Sequence, residues 1–152
     1  MLRSQKSFKK TMFLMLLTFV FALAMAVPAS AAAQNLQFLD ENGAYSTHAS
    51  AFIDSADVTG SAGNYTVTIK LKNTYPPFPT IPVSYGFLNV DVNGAPAGDG
   101  TYEVSATKSV SGGFTYFVFS GVNNLTDNLP VELQVNAGGF HNTTYSLFID
   151  WL

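Results

Sequence analysis

A strict two-residue alternation over residues 65–72 does most to limit the folds open to this chain. Apolar residues occupy every second position and polar residues lie between them: Tyr65, Val67, Ile69 and Leu71 against Thr66, Thr68, Lys70 and Lys72. Because successive side chains of a strand point to opposite faces, this pattern predicts a strand with one buried and one solvent-facing side. Such strands are typical of antiparallel sheets that cover a core with one face.

Further segments rich in Val, Thr, Tyr and Phe are separated by Gly, Asn and Pro, which is a composition typical of β structure. With the segment above, they predict strands over residues 36–39, 65–72, 83–92, 102–109, 114–119, 131–135 and 141–149. Several short strands at this spacing, without an internal repeat, predict a single all-β domain of the immunoglobulin-like β-sandwich class.

The segments between the strands carry turn and loop signals. Asn93-Gly94 is expected to end one strand, and Ser111-Gly112-Gly113 is expected to form a hairpin turn. The proline-rich residues 75–79 predict a loop or a sheet edge, because proline cannot donate to a strand ladder. Residues 45–52 are rich in Ser and Ala and lack alternation, so they are compatible with a short helical turn.

The N-terminal residues are organised like a secretory signal peptide. A basic start is followed by an apolar run over residues 11–27 and by small residues that offer cleavage sites after Ala31 or Ala33. An uncleaved membrane anchor is the alternative, but the apolar run is at the short end for a bilayer span. We therefore expect residues 1–31 to be a signal peptide, with cleavage near 31–33. Residues 34–152 are expected to form one exported domain that is not attached to the membrane.

Charge and missing residue types exclude several functions. Beyond the signal peptide, three Lys and Arg residues stand against ten Asp and Glu residues, which gives a net charge of −7. Nucleic acid and anionic lipid both require basic patches, so neither is an expected partner. The chain has no cysteine, no G-x-S-x-G motif and no zinc-ligand spacing. An enzyme is therefore not expected.

The strongest candidate for a chemical site lies in the last predicted strand. His141 and Tyr145 are four residues apart, so their side chains lie on the same face of that strand. Both residue types can bind a haem iron. The structural alternative is that His141 is an ordinary strand residue after the Gly138-Gly139 turn and that Tyr145 only packs on the sandwich. His48 is the only other histidine of the chain and is therefore a further candidate.

The order of these segments resembles that of a NEAT (near-iron-transporter) domain over nearly all of the chain beyond the signal peptide. Residues 36–39 are similar to the first strand, and residues 46–52 resemble the short lip helix, which starts with Ser and ends in an aromatic residue. Residues 63–73 match the pattern G-x-Y-x-V-x-x-x-L-K-N of the next strand. Residues 125–135 resemble the loop and the seventh strand, and residues 141–150 occupy the position of the eighth strand.

The resemblance implies a sandwich of about eight strands with a short lip helix, and it implies haem as ligand. In haem-binding NEAT domains the eighth strand carries Y-x-x-x-Y, in which the first Tyr binds iron and the second hydrogen-bonds to it. Tyr145 matches the second Tyr, and Ser46 matches a lip Ser that contacts a haem propionate. His141 replaces the ligand Tyr, whereas the alternative alignment places Phe140 there.

The site implied by the resemblance comprises Ser46, His48, Phe52, His141 and Tyr145. His141 is the first candidate for the iron ligand and Tyr145 is the second, while His48 lies on the lip that faces them. An imidazole ligand is compatible with ferrous haem, whereas tyrosinate favours ferric iron.

The function implied is that of a secreted Gram-positive protein for haem binding and transfer in iron acquisition, either free or cell-wall associated. One alternative is a NEAT-like domain that binds haemoglobin or another haem-carrier protein, without haem ligation, through Tyr45, Phe52, Tyr75 and Phe78. Another alternative is an unrelated adhesin or carbohydrate-binding β-sandwich.

Overall fold

Two antiparallel sheets pack face to face in the computed structural model, which describes residues 31–76 and 78–152. The predicted signal peptide over residues 1–31 lies outside these residues except for Ala31. Within the described ranges, no helix has both the length and the apolar character needed to cross a bilayer.

The first sheet has the strand order β1-β3-β4-β9-β8. Its strands are β1 (Ala32–Ala33), β3 (Ile53–Ser61), β4 (Asn64–Lys72), β8 (Thr107–Ser111) and β9 (Phe114–Val122). The alternation in β4 is confirmed, because Val67, Ile69 and Leu71 are all fully buried. Gly112 and Gly113 have positive φ values and form the predicted hairpin turn between β8 and β9.

The second sheet has the order β2-β11-β10-β6-β5, and β7 pairs with β6. Its strands are β2 (Leu36–Leu39), β5 (Thr74–Tyr75), β6 (Phe78–Val90), β7 (Val104–Ser105), β10 (Leu129–Ala137) and β11 (His141–Trp151). A single helical turn, α1 (Thr47–Ser50), lies between β2 and β3. Eight of the strands in the described residues have four or more residues, so the predicted all-β sandwich of about eight strands with a short helix is confirmed.

Two segments differ from the sequence-based prediction, and a third agrees with it. Strand β3 is missing from the predicted set, although it pairs along its whole length with β4. The segment predicted as one strand over residues 102–109 is divided, because β7 pairs with β6 in one sheet and β8 pairs with β9 in the other. The sheet edge predicted for the proline-rich segment is confirmed, because Tyr75 pairs with Phe78 in the outermost strand pair of the second sheet.

Asn73 fixes the point at which the chain leaves β4 for the β5–β6 pair. Its side-chain oxygen accepts a hydrogen bond of 2.8 Å from the buried hydroxyl of Thr115, and its carbonyl accepts one of 2.8 Å from the N–H of Val83. A buried hydroxyl needs such a partner to offset its desolvation. The asparagine therefore connects β6 of the second sheet to β9 of the first sheet, and it fixes the start of the β5–β6 pair that carries Tyr75.

The inner face of β11 leads from the core to an open end of the sandwich. Ile149 and Leu147 are buried, Tyr145 is half-buried and His141 is exposed. All four side chains share one face because they are an even number of residues apart. The strand therefore carries its two chemically active side chains out of the core and towards the end that α1 covers.

Candidate functional site

A cavity of about 420 Å³ opens at this end of the sandwich, and we call it the end cavity. Its floor and one wall are apolar and come from strands β6, β10 and β11: Ile81, Leu133, Val135, Ala137 and Leu147. The opposite side is formed by Ser46, His48 and Ala49 of the α1 region. A concave, mostly apolar site with a few polar groups is the usual form of a small-molecule binding pocket.

His141 and Tyr145 meet on the β11 wall of the end cavity. The Nε2 atom of His141 lies 2.6 Å from the hydroxyl oxygen of Tyr145, and the two rings stack at 27° with their centroids 6.0 Å apart. Cα atoms four residues apart in a strand are about 13 Å from each other, so both side chains must lean together over Thr143. A nitrogen and an oxygen that can both bind iron therefore lie side by side.

The residues that lie opposite His141 and Tyr145 on the neighbouring strand are apolar. Ala137 of β10 lies opposite His141, and Leu133 lies opposite Tyr145. Neither of these neighbours offers a polar side-chain atom that would compete for the imidazole or the hydroxyl. The two polar groups thus have each other as hydrogen-bond partners on a wall that is otherwise apolar.

The lip helix α1 is anchored at both of its ends. The Ser46 hydroxyl caps the helix by accepting a hydrogen bond of 3.3 Å from the N–H of Ala49. The Ser50 hydroxyl oxygen accepts from the Phe38 N–H at 2.9 Å and donates to the Phe38 carbonyl at 3.2 Å. Serine is a favoured N-cap residue, so the first of these contacts explains why the chain starts a helix here. The Ser46 hydroxyl hydrogen is not used by the cap and is able to donate to an anionic ligand group.

An aromatic cluster connects the lip to the sandwich. The His48 ring contacts Phe52 edge-on at 5.8 Å between centroids and lies 5.3 Å from Tyr75. Phe52 in turn contacts Tyr75 at 5.9 Å and Tyr85 at 6.2 Å. Edge-to-face and tilted contacts in this distance range are favourable for aromatic rings. His48 is therefore held above the cavity by the rings of Phe52 and Tyr75, and Tyr85 supports Phe52 from the core.

Tyr85 closes the core behind this cluster. It is buried, and its hydroxyl donates a hydrogen bond of 2.6 Å to the carbonyl of Lys72. Burial raises the pKa of this hydroxyl far above the usual tyrosine range, because the phenolate would lose its hydration. Tyr85 thus remains neutral and serves as a structural hydrogen-bond donor.

All five residues predicted for the site line the end cavity: Ser46, His48, Phe52, His141 and Tyr145. Their roles towards a ligand stay predictions. Phe52 is 5% exposed and Tyr75 is half-buried, so both are cavity walls and do not offer the outer contact surface suggested for them. Tyr45 and Phe78, in contrast, are exposed.

The sequence pointed to Phe140 only as an alternative alignment of the ligand position, and it did not assign the apolar wall to the site. Phe140 lies at the mouth of the cavity and is 90% exposed. Leu147 shares the face of His141 and Tyr145 by alternation, which is a signal that the sequence contains. Ile81 and Leu133 carry no such signal, because their proximity depends on how three strands pair.

An acidic cluster outside the cavity has a structural explanation. One carboxylate oxygen each of Asp91, Asp99 and Glu103 lie within 4.8 Å of one another. Asp91 is 1% exposed, and its two oxygens accept hydrogen bonds from the N–H groups of Gly94 at 2.6 Å and Asp99 at 3.0 Å. This carboxylate therefore organises the loop after β6.

The architecture defines the class of protein as an immunoglobulin-like sandwich with a helical lip over an end cavity. A single-residue mutant of the NEAT5 domain of IsdX2, solved in complex with haem, matches with a TM-score of 0.61 at 14% identity. That match covers 83% of this chain and 97% of the solved chain. The NEAT5 domain of IsdX2, a haemophore of B. anthracis, also in complex with haem, matches with a TM-score of 0.60 at 14% identity over 82% and 96% of the two chains.

These likenesses establish that the chain has the fold of NEAT domains, as its resemblance predicted. No protein-family model and no curated protein matches the sequence. The shared fold disfavours the alternative of a β-sandwich that is unrelated to NEAT domains. At 14% identity the likeness concerns the fold, so the ligand has to be argued from the residues of this chain.

Proposed function

We propose that this protein binds haem in the end cavity, with an iron ligand from the His141–Tyr145 pair. The observation that carries the proposal is the 2.6 Å contact between these two side chains on an otherwise apolar wall. A haem needs apolar surfaces for its porphyrin faces and one nitrogen or oxygen ligand for its iron. The end cavity offers both, because β11 carries the ligand pair and β6, β10 and β11 supply the apolar surface.

The lip supplies the remaining contacts that the proposal requires. Ser46 is at the N-cap of α1, where its hydroxyl hydrogen can be donated to a propionate. His48 covers the face opposite β11, and its ring is braced by Phe52 and Tyr75. Support also comes from the two solved structures of the same fold, which are haem complexes.

We further propose that the protein acts outside the cell as a haem carrier in iron acquisition and is not an enzyme. The signal-peptide pattern supports export. The exposure of His141 and Phe140 at the cavity mouth gives haem a route in and out without unfolding of the sandwich. A carrier has to release its ligand, so a site that is open on one side suits this role.

The test is to incubate the purified protein with haemin, remove free haemin by gel filtration, and record the Soret band. We expect a haem complex in a one-to-one ratio. The double variant H141A/Y145F is expected to lose it, because both ligand atoms are removed. Tyr116→Phe is the matched control, since Tyr116 lies on the outer face of the other sheet and its variant should bind like the native protein. A native protein without a Soret band would reject the proposal.

A second candidate function is contact with haemoglobin or another haem-carrier protein. It is favoured by three exposed aromatic residues near the lip and the cavity mouth: Tyr45 at 55%, Phe78 at 61% and Phe140 at 90% exposure. Exposed aromatic residues are common anchors of protein interfaces. Pull-down with immobilised haemoglobin tests this candidate, and F78S should weaken the capture if it is correct.

A further inference from the structure

We propose that Tyr145 is the iron ligand and that His141 is a positioning residue that donates a hydrogen bond to the ligand oxygen. This inference rests on the haem binding proposed above. It reverses the order of roles along the strand, because position 141 is where the resemblance places the ligand and position 145 is where it places the hydrogen-bond partner.

The two atoms in contact differ in the number of lone pairs that they can offer. The Nε2 atom of a neutral imidazole has one lone pair or one proton, and a nitrogen that binds metal keeps neither for a hydrogen bond. A phenolate oxygen has several lone pairs, so it can bind metal and accept a hydrogen bond together. The contact between His141 Nε2 and Tyr145 Oη, at 2.6 Å, is therefore retained when the oxygen of Tyr145 is the ligand and is lost when Nε2 of His141 is the ligand.

Tyr145 and His141 also lie at different depths in the end cavity. Tyr145 is half-buried between the buried Leu147 and the cavity mouth, and it lies opposite the buried Leu133. His141 is exposed at the first position of β11, next to the turn that contains Gly138 and Gly139. An anionic oxygen beside iron is stabilised more when water is kept away, because electrostatic attraction is stronger in a low dielectric. The deeper residue is thus better placed to bind the metal.

Protons balance within the pair. When the oxygen of Tyr145 bonds to iron, its O–H bond breaks, and the proton passes across the 2.6 Å contact to Nε2 of His141. The tautomer of His141 with its proton on Nδ1 would take up this proton at Nε2, and the positive charge would then lie beside the negative phenolate. The pair keeps a net charge of zero, no electron is transferred, and the new Nε2–H is the donor that holds the ligand oxygen.

The choice of ligand has a consequence for iron. A phenolate is a hard, anionic oxygen donor and favours the ferric state, whereas a neutral imidazole accommodates ferrous iron well. The resemblance places His141 at the ligand position, and an imidazole ligand there predicts tolerance of ferrous haem. The geometry instead points to a site that prefers ferric haem.

The experiment is resonance Raman and visible spectroscopy of the native protein loaded with ferric haemin, compared with Tyr145→Phe, His141→Gln and Tyr116→Phe. We expect an iron–phenolate stretch and a phenolate-to-iron charge-transfer band in the native complex and in Tyr116→Phe. Both signals should be lost in Tyr145→Phe. In His141→Gln they should persist with a shifted stretch, and haem should dissociate at least about 10-fold faster, since removal of a ligand's hydrogen-bond partner typically costs that much.

The outcomes separate this inference from the proposed function. An imidazole-ligated spectrum in the native complex, lost in His141→Gln, would overturn the assignment while leaving haem binding intact. A phenolate signal that survives in Tyr145→Phe would overturn it as well. A native protein that binds no haemin defeats the proposed function itself. If Tyr145→Phe binds no haemin although its circular dichroism is native, the phenolate signal of the native complex still decides the ligand.

Discussion

The Nδ1 atom of His48 lies 3.4 Å from the hydroxyl oxygen of Tyr75, and this contact joins the lip helix to the β5–β6 pair. The two residues are 27 positions apart, and both line the end cavity. The Tyr75 ring also stacks on Phe78 at 25° and lies 5.9 Å from Phe52. The lip is therefore positioned by the strand pair that Asn73 holds in place, and not only by its own short helix.

Tyr75→Phe tests this coupling, because it removes one hydroxyl and leaves the ring contacts. A hydrogen bond of this kind contributes about 1 kcal/mol, so the dissociation constant for haemin should rise about fivefold. The measurement is a haemin titration followed at the Soret band. Tyr116→Phe, on the outer face of the other sheet, is the control and should leave the constant unchanged. Equal affinities in both variants would mean that ring packing alone positions the lip.

The strands that were predicted correctly from the sequence have strong alternation of apolar and polar residues. Strand β3 was missed because its sequence lacks this strong signal. Its sequence contains Asp54, Asp57 and Gly60, which are depleted in strands, although Ala56 and Val58 do alternate inward. Pairing with β4 on one side and β1 on the other compensates for this weak local preference. Such pairing is a property of the whole sheet and is not visible in a window of nine residues.

In the candidate site, too, some contacts follow from the local sequence and others depend on the packing of distant segments. His141 and Tyr145 were found because four residues along a strand return to the same face. The contact of His48 with Tyr75 and the wall position of Ile81 depend on segments that meet only in the folded chain. Residue spacing predicts neighbours within one element, but the packing of elements decides which side chains share a cavity.

Lys108 is predicted to stabilise the sandwich at an irregular point of the second sheet. Its Nζ atom donates to the carbonyls of Tyr85 at 2.8 Å and Gly86 at 3.1 Å, beside the shift in register between Leu133 and Val135. Lys108→Met keeps the aliphatic stem but removes both charge-assisted hydrogen bonds. The free energy of unfolding should fall by about 1 kcal/mol in urea denaturation, since the ammonium group is partly solvated.

Lys70→Met is the matched control for Lys108. Lys70 pairs with Asp54 at 2.7 Å on the outer face of the first sheet, where solvent screens the interaction. Loss of this ion pair in Lys70→Met should lower the midpoint of urea denaturation less than Lys108→Met does. The reverse order of the two midpoints would contradict the role given to Lys108.

Tyr85 is predicted to make stability depend on alkaline pH. Because burial raises its pKa, the folded protein keeps this hydroxyl protonated at pH values where the unfolded chain loses the proton. Its contribution is therefore complete below the ordinary tyrosine pKa of about 10 and is lost progressively as pH rises above it. Tyr85→Phe should reduce the free energy of unfolding at neutral pH by about 1 kcal/mol through loss of the bond to the Lys72 carbonyl.

Above pH of about 10, the curve of the variant should decline less steeply than that of the native protein, because the variant has no raised pKa at this position. Urea denaturation at a series of pH values measures both curves. Parallel curves over this range would show that Tyr85 does not carry the pH dependence.

Phe140 is predicted to act as a cover for bound haem that contributes nothing to the stability of the free protein. Its side chain is 90% exposed at the mouth of the end cavity, so a bound porphyrin offers it an apolar surface that it lacks in the free state. Partial burial of such a ring contributes about 1 kcal/mol, so Phe140→Ala should release haem about fivefold faster. The rate is measured by transfer of haem to an excess of an apoprotein acceptor.

The stability of Phe140→Ala should equal that of the native protein, because truncation of a solvent-exposed side chain leaves no void in the core. Val110→Ala is the matched control: Val110 is 62% exposed on β8 and lies outside the cavity lining, so neither stability nor release should change. Phe140→Leu should lie between the native protein and Phe140→Ala, since it retains part of the apolar surface. If Phe140→Ala and Val110→Ala release haem at the native rate, the ring does not cover the ligand. The exposed aromatic residue would then be better explained by the contact with a partner protein that F78S tests.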